Sequence, residues 1–271
     1  MILIVTIVFF IFGLIIGSFL NVVIYWMSTA RSFGGRSACM SCLKTLRIYE
    51  LIPLFSFFAQ KGRCRNCKTK ISIQYPLVEL MTGLIFAGLF FKFFAEGGQN
   101  IFSVFSPIFI VTYVYYAVMF SLLLVISVYD LRHKIIPDVL SFLFGILAFV
   151  GLFFFGHSLL GQTGFYPHVP SILEFLSGIL IALPFTLFFL LSKGTWMGLG
   201  DAKLALGIGW LLPLQSAFSA LTIAFWTGAV IGLYLMIFSK NYGMKSEIPF
   251  APYLVFGTLL VFLFDLQLFP I

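Results

Sequence analysis

Two aspartates in this sequence stand at the ends of hydrophobic segments, where an ionisable group is costly and by default suggests a function. Asp130 ends one segment, and Asp201 follows in the sequence Gly198-Leu-Gly200-Asp201 before a short apolar stretch. Two aspartates that share a site do not both ionise easily, so one keeps a proton to donate while the other activates water. Such a pair would hydrolyse a peptide bond, whereas either residue alone could equally be an interfacial anchor.

The two glycines before Asp201 are predicted to support this site. Gly198 and Gly200 lack a Cβ atom, which permits backbone torsions that other residues avoid and lets a substrate strand approach closely. The Gly-x-Gly-Asp pattern alone is weak evidence for a protease. Together with the second aspartate it favours a catalytic pair.

All four cysteines have the spacing of zinc ligands. They form two Cys-x-x-Cys pairs, Cys39 with Cys42 and Cys64 with Cys67. A gap of two residues lets both sulfur atoms of a pair face one ion, and two pairs complete a tetrahedral shell. A closed shell predicts a structural Zn²⁺ ion. The alternatives are free thiols or two disulfides, and a reducing cytoplasmic location argues against disulfides.

The elements that must position these residues are hydrophobic helices. Of the 271 residues 61% are hydrophobic and 9% are charged, whereas a soluble domain carries about a quarter charged residues. We therefore predict an all-α, polytopic membrane bundle of seven or eight transmembrane helices with a small zinc-binding loop, because lipid offers the backbone no hydrogen-bond partner. The predicted spans are residues 2–26, 77–94, 101–129, 139–155, 172–191, 217–238 and 253–264, with 202–212 as a short and doubtful eighth.

The distribution of Lys and Arg predicts the orientation of these helices. Between Met27 and Gln74 nine basic residues face one acid, Glu50, so the positive-inside rule places this segment in the cytoplasm. Threading eight spans from there puts Asp130 and Asp201 at the cytoplasmic end of the membrane and leaves Lys92 near the other face. The basic residues on the cytoplasmic side are then Arg31, Arg36, Lys44, Arg47, Lys61, Arg63, Arg65, Lys68, Lys70, Arg132, Lys134, Lys193, Lys203, Lys240 and Lys245.

At these residues the sequence resembles the type IV prepilin leader peptidases, a family of Gly-x-Gly-Asp membrane aspartic proteases. The resemblance covers nearly the whole chain. It departs from the family pattern at Met40, at Met27-Ser28 and at Ala251, away from the aspartates. Its marks are Gly17-Ser-Phe-Leu-Asn21, the four cysteines, Glu50-Leu-Ile-Pro53, Gly62-Arg-Cys64, Tyr75-Pro-Leu-Val-Glu79, Asp130 with Ile136-Pro-Asp138, Gly198-Leu-Gly200-Asp201 and Ile248-Pro-Phe250.

The resemblance implies an activity and residues that perform it. Members cleave a short, basic, cytoplasmic leader from type IV prepilins or from prepilin-like pseudopilin and competence proteins, and Asp130 and Asp201 match the catalytic pair. Many members also methylate the new N-terminal amine with S-adenosylmethionine, an activity associated with the cysteine loop. Glu50 and Glu79 are then candidates for binding substrate or methyl donor, although pairing with a nearby Arg or Lys is favoured for Glu79.

The expected organisation has three regions. Residues 1–26 form the first transmembrane helix, 27–74 the zinc-binding loop associated with methyl transfer, and 75–271 the polytopic peptidase region. The expected location is the bacterial cytoplasmic membrane, and the expected partners are prepilins or pseudopilins and membrane lipid. A basic leader would be repelled by the basic loop, so anionic lipid or acids such as Glu50 and Asp138 must steer it.

Other functions are still open at this point. A transporter could use Asp130 and Asp201 as a proton relay, but both acids lie near one face and no inverted repeat is visible. The chain could instead be an assembly scaffold, or a peptidase without methylation, since no linear S-adenosylmethionine motif can be read. Despite the net charge of +7, no nucleic acid is expected, because the cations are not interleaved with aromatic platforms that bind single strands.

Overall fold

The computed structural model describes residues 2–27, 37–96, 104, 106–157, 163–194, 197–238 and 248–269. Arg31, Arg36, Lys240 and Lys245, four of the cations predicted to be cytoplasmic, lie outside these residues. The chain divides into two compact units, Met1–Lys92 and Phe93–Ile271. Each unit is described by itself.

The first unit is built on two long helices with the cysteine loop between them in sequence. α1 (Ile2–Met27) is followed in the described part of the loop by a 3₁₀ turn at Ile48–Glu50 and a five-residue helix, α2 (Phe55–Ala59). The second long helix, α3, is Gln74–Glu96 and continues past the end of the unit. Both long helices are long and apolar enough to cross a membrane.

α1 and α3 pack closely through small residues. A Cβ atom on Gly13 would lie 2.7 Å from the carbonyl oxygen of Thr82, and one on Gly17 would lie 2.7 Å from Cα of Glu79. Glycines one helical turn apart let two helices approach in lipid, where contact area rather than water exclusion drives association. Asn21 adds a polar link, since its side-chain amide donates to the carbonyl oxygen of Tyr75 at 3.1 Å.

The second unit contains the remaining helices. α4 (Pro107–His133), α6 (Ile172–Ser192) and α8 (Leu214–Phe238) have spanning length and composition. α5 (Asp138–Gly151) and α9 (Ala251–Phe264) are apolar helices of 14 residues, and α7 (Leu199–Leu211) has 13. The predicted all-α membrane bundle is confirmed, with five helices of full spanning length in the part of the chain that is described.

The short helix α7 is enclosed by its neighbours. It packs mainly against α5 and α6. Gly207 faces the ring of Phe144 on α5, and Gly209 lies against Gly178 on α6. The hydroxyl of Ser177 donates to the carbonyl oxygen of Gly209 at 2.6 Å. The doubtful eighth segment is therefore a helix whose position is fixed by helix contacts along most of its length.

Some predicted boundaries in this unit were wrong. α4 begins at Pro107 and not at residue 101, and it extends to His133, so Asp130, which was expected to end the segment, lies in the last turn of the helix. The predicted span 139–155 ends at Gly151, and β1 (Phe155–His157) pairs antiparallel with β2 (Thr163–Phe165) in a small hairpin. The hydroxyl of Thr112 on α4 accepts a hydrogen bond from the Phe165 N–H at 3.0 Å, which holds the hairpin against the helix.

Candidate active site and zinc-binding loop

Asp130 occupies the last turn of α4, where its side chain is buried. The residue is 4% exposed. The helix ends when Lys134 adopts the left-handed conformation and donates its N–H to the Asp130 carbonyl oxygen at 2.7 Å. The carboxylate oxygen Oδ2 accepts a hydrogen bond from the backbone N–H of Ala251 at 3.2 Å. The first residue of α9 thus orients the Asp130 side chain.

Asp201 is the third residue of α7 and lies half-buried beside Asp130. An acid in the first turn of a helix interacts favourably with the positive end of the helix dipole, and Asp201 has this position. The two carboxylates are close enough for their negative charges to repel each other. The structure therefore brings together the two aspartates that the sequence singled out, from helices far apart in the chain.

A salt bridge joins the helix of Asp201 to the segment that follows Asp130. The Nζ atom of Lys203 lies 2.6 Å from Oδ1 of Asp138. Asp138 is the first residue of α5, where a carboxylate also suits the positive end of the helix dipole. Because both side chains are substantially exposed, the pair contributes at most about 1 kcal/mol to stability. The salt bridge connects the first turns of α5 and α7.

The two glycines before Asp201 serve different purposes. A Cβ atom on Gly200 would lie 2.9 Å from Cβ of Ile136, so close packing requires glycine there. Gly198 is the N-cap of α7 with ordinary extended torsions, φ −77° and ψ 152°. Among the described residues, a Cβ atom on it would meet only the Gly200 nitrogen at 3.9 Å. The expectation of unusual torsions was wrong for both residues. Space for an approaching strand is found at Gly198.

In the first unit the four cysteine side chains converge. Their sulfur atoms all lie within 4.8 Å of one another, and Sγ of Cys39 is 3.7 Å from Sγ of Cys67. Four thiolates at about 2.3 Å from a tetrahedral Zn²⁺ ion have sulfur atoms about 3.8 Å apart. All four cysteines are free thiols in the structure. The cluster has the ligand set and the dimensions of a structural zinc site.

The two cysteine pairs form the same local structure. Cys39 N–H donates to the Lys44 carbonyl at 3.0 Å, and Cys64 N–H donates to the Thr69 carbonyl at 2.9 Å. The residue after the second cysteine of each pair has positive φ, 56° at Leu43 and 59° at Lys68. The left-handed residue turns the chain so that both sulfur atoms of a pair point inward. The cluster is thus built from two copies of one turn.

Hydrogen bonds favour the thiolate form of one cysteine in each pair, Cys42 and Cys67. The pKa of Cys39 is instead raised to about 11, by burial and by the neighbouring cysteine side chains. The Thr69 hydroxyl, 3.2 Å from Sγ of Cys67, together with the Thr69 N–H lowers the pKa of Cys67 to about 6. The backbone N–H of Lys44 and the side chain of Asn66 lower the pKa of Cys42. Since the thiolate is the form that binds metal, these contacts suit a cation-binding role.

The two glutamates of the first unit bind main-chain groups. The carboxylate of Glu50 accepts from the Arg47 N–H at 2.8 Å and closes the 3₁₀ turn. Glu79 is buried in α3 and accepts from the Leu54 N–H at 2.8 Å, with Ser18 as a side-chain partner. The described residues thus give Glu79 backbone and hydroxyl partners in place of the expected Arg or Lys.

Sequence reasoning missed two residues that shape these sites. Ala251 holds Asp130 through its backbone N–H, so the expectation that it lies away from the aspartates was wrong. No side-chain pattern could have revealed this contact, although Ile248-Pro-Phe250 marked the segment. Asn21 had no assigned role, yet it is buried and links α1 to the start of α3. A buried asparagine in an apolar helix was the available indication, because such a group needs a partner.

Comparisons with known proteins agree with this arrangement. Residues 11–93 match a family model described as the Bacterial Peptidase A24 N-terminal domain, and residues 117–233 match the Type IV leader peptidase family. The cysteine loop falls in the first match and both aspartates fall in the second. No solved structure matches the chain.

Curated relatives extend the similarity over most of the chain. A protein of Aeromonas salmonicida (strain A449), named Prepilin leader peptidase/N-methyltransferase, is 31% identical over 90% of this chain and 86% of its own length. Proteins of the same name from Bacillus subtilis (strain 168) and Pseudomonas aeruginosa PAO1 are 29% and 31% identical, covering 95% and 89% of this chain and 93% and 84% of their own. The chain therefore belongs to the type IV leader peptidase family.

Proposed function

We propose that this protein cleaves the leader peptide from type IV prepilins or pseudopilins and methylates the new N-terminal amine. The observation that carries the peptidase assignment is the convergence of Asp130 and Asp201 in the second unit, where Gly200 packs on Ile136 and Lys203 pairs with Asp138. The relatives, which are named for both activities and match most of the chain, support the pairing of cleavage with methylation.

The two aspartates perform hydrolysis by sharing one proton. The ionised carboxylate takes a proton from water as its oxygen attacks the scissile carbonyl carbon, and the protonated carboxyl donates to the carbonyl oxygen. Collapse of the tetrahedral intermediate breaks the C–N bond, and the nitrogen leaves with a proton from the pair. Because the two groups titrate as a unit, the acid and base roles belong to the pair.

The substrate and the site meet at the membrane surface. The reaction needs only that the scissile bond, just outside a hydrophobic helix, reaches Asp130 at the end of α4 and Asp201 at the start of α7. Because the scissile bond lies outside the transmembrane helix of the substrate, the backbone hydrogen bonds of that helix stay intact during cleavage. We place this end of the bundle, and the cysteine loop, on the cytoplasmic side of the bacterial inner membrane, since the basic residues favour it.

The cysteine loop supports methylation as a structural element. Zn²⁺ held by Cys39, Cys42, Cys64 and Cys67 would fix the two turns relative to each other. S-adenosylmethionine supplies the methyl group that replaces a proton on the amine nitrogen. We keep the division into residues 1–26, the loop 27–74 and the peptidase region 75–271 as a proposal for which part serves which activity.

Mass spectrometry of a prepilin incubated with the purified protein tests both activities. We expect loss of the leader with the wild-type protein, and a further gain of one methyl group when S-adenosylmethionine is added. Cleavage without the mass gain would contradict the methyltransferase assignment. An uncut substrate would contradict the peptidase assignment. Pilus assembly still supported in cells by aspartate variants would then favour the scaffold function, whereas proton-coupled transport that is lost in those variants would favour the transporter.

The glycines before Asp201 provide a paired test of the site. Gly200→Ala forces Cβ against Ile136, and overpacking of this kind costs about 1–3 kcal/mol. Because Gly200 directly precedes Asp201, the same contact displaces the Asp201 carboxylate, and a misplacement of about 1 Å can lower a rate by about 10²-fold. We therefore expect both the thermal stability and the rate of single-turnover cleavage to fall. Gly198→Ala has room for its methyl group and is expected to fold with wild-type thermal stability. Equal losses of stability in the two variants would contradict the packing described here.

A further inference from the structure

The segment between the two cysteine pairs exposes large apolar side chains. In residues 48–59, which we call the apolar segment, Ile48 is 87% exposed, Phe55 66% and Phe58 70%. Leu51 and Ile52 are also exposed. Single exposed apolar residues are ordinary, whereas a run of them indicates an interaction surface. The segment therefore needs a partner that covers it.

The segment is tied to a membrane-spanning helix at a defined depth. Its residue Leu54 donates its N–H to the carboxylate of Glu79 at 2.8 Å. Glu79 lies five residues after Gln74, the start of α3, or about 8 Å along the helix axis at 1.5 Å per residue. α3 has the length and composition of a membrane span. Leu54 is thus held level with the second turn of that span.

The backbone at Leu54 is strained, which indicates that its contact with Glu79 fixes the position of Leu54 relative to α3. Leu54 has φ 59° and ψ −53°, and the Phe55 N–H donates to the Pro53 carbonyl at 2.6 Å, which together form a γ-turn. This turn is rare and strained for a residue with a side chain. The buried Glu79 carboxylate holds the strained N–H in place. α2, which begins at the next residue, starts at the level set by this contact.

The charges beside the segment suit an anionic surface. Arg47 precedes it, and Lys61 and Arg63 follow it, all three exposed. The acid within it, Glu50, is engaged by the Arg47 N–H. Basic residues next to apolar side chains attract anionic lipid headgroups, and aromatic rings favour the boundary between headgroups and acyl chains. An anionic lipid leaflet can cover the apolar side chains of the segment and bind the basic residues beside it.

We propose that the apolar segment lies in the headgroup region of the membrane, with Phe55 and Phe58 at the acyl boundary and Arg47, Lys61 and Arg63 on anionic headgroups. The Glu79–Leu54 hydrogen bond holds it there. The cysteine loop is then anchored on the bilayer surface at its middle as well as at its ends.

Tryptophan fluorescence in lipid nanodiscs tests this placement. Phe58→Trp is compared with the parent protein, so that the native tryptophans are subtracted, in discs with and without bromine on the upper acyl chain. We expect the added fluorescence to be quenched by bromine, to be protected from acrylamide in the water, and to show stronger quenching when anionic lipid is included. Ser41→Trp, exposed within the first cysteine pair, is the control and is expected to be quenched less by bromine than by acrylamide.

Additional substitutions in the Phe58→Trp protein test separately the Glu79–Leu54 hydrogen bond and the basic residues. Both Glu79 variants are made in the Phe58→Trp protein. Glu79→Gln keeps an acceptor for the Leu54 N–H and is expected to keep the bromine quenching. Glu79→Ala removes that acceptor and should lower the quenching. Lys61→Gln with Arg63→Gln, which leaves Arg47 in place, should weaken the dependence of the quenching on anionic lipid. A tryptophan at position 58 that acrylamide reaches freely and bromine does not quench would overturn the proposal. Protection of this tryptophan from acrylamide that appears only after prepilin is added would also overturn the proposal, and would indicate that the apolar segment binds the substrate.

Discussion

Asp130→Asn and Asp201→Asn are each expected to reduce prepilin cleavage by roughly 10²- to 10⁴-fold, the contribution of a positioned acid or base. An amide neither takes a proton from water nor delivers one to the carbonyl oxygen. The asparagine side chain introduced at position 130 retains an oxygen that accepts the Ala251 N–H, so the local structure is expected to persist. Quantitative cleavage assays on protein that elutes as the wild type from size-exclusion chromatography provide the measurement.

Asp138→Asn is the matched control for this pair. It removes a carboxylate near the site whose described partner is Lys203. Since an exposed salt bridge is worth at most about 1 kcal/mol, cleavage is expected to change by less than about tenfold. Normal processing by either aspartate variant, or equal losses in all three, would contradict the roles proposed for Asp130 and Asp201.

Loss of the metal is expected to have the second largest effect, and to affect methylation. Cys64→Ser removes one of four ligands from a buried position in the cluster. Structural zinc supplies about 10–16 kcal/mol of folding free energy in small zinc modules. We expect the purified variant to lack stoichiometric zinc, the loop to become sensitive to limited proteolysis, and methylation to fall below detection.

The same experiment separates the two activities. Cleavage is expected to continue in Cys64→Ser, because the aspartates and their contacts belong to the other compact unit. Ser41→Ala, which changes a residue between two ligands, should retain zinc and both activities. Full methylation by a zinc-free protein would refute the structural role of the metal, and complete loss of cleavage would refute the separation.

Much of the fold was predictable because lipid imposes a simple rule on sequence. Every predicted hydrophobic segment forms a helix over most of its length, including the short one that became α7. The hairpin of β1 and β2 was not predicted. Its strands have three residues each, too few to show an alternating pattern, and its anchor is the side chain of Thr112, distant in the chain.

The candidate sites were predictable where side chains carry the chemistry. Asp130, Asp201 and the four cysteines were identified by residue type and spacing. The contacts of Asp130 and Glu79 were not, because their partners are the backbone N–H groups of Ala251 and Leu54. Every residue other than proline has such a group, so its involvement in a site leaves no mark on the sequence.

The two matching turns around the cysteines also have a thermodynamic consequence for the apolar segment. A metal ion bound to both turns restrains the two ends of the chain between them, which lowers the entropy that this stretch loses when it is ordered. Its insertion into lipid is then favoured by the metal. Linkage is reciprocal, so a bilayer that accepts the segment must in turn tighten the binding of zinc. The metal affinity of this protein is therefore expected to be a property of the protein and its lipid together.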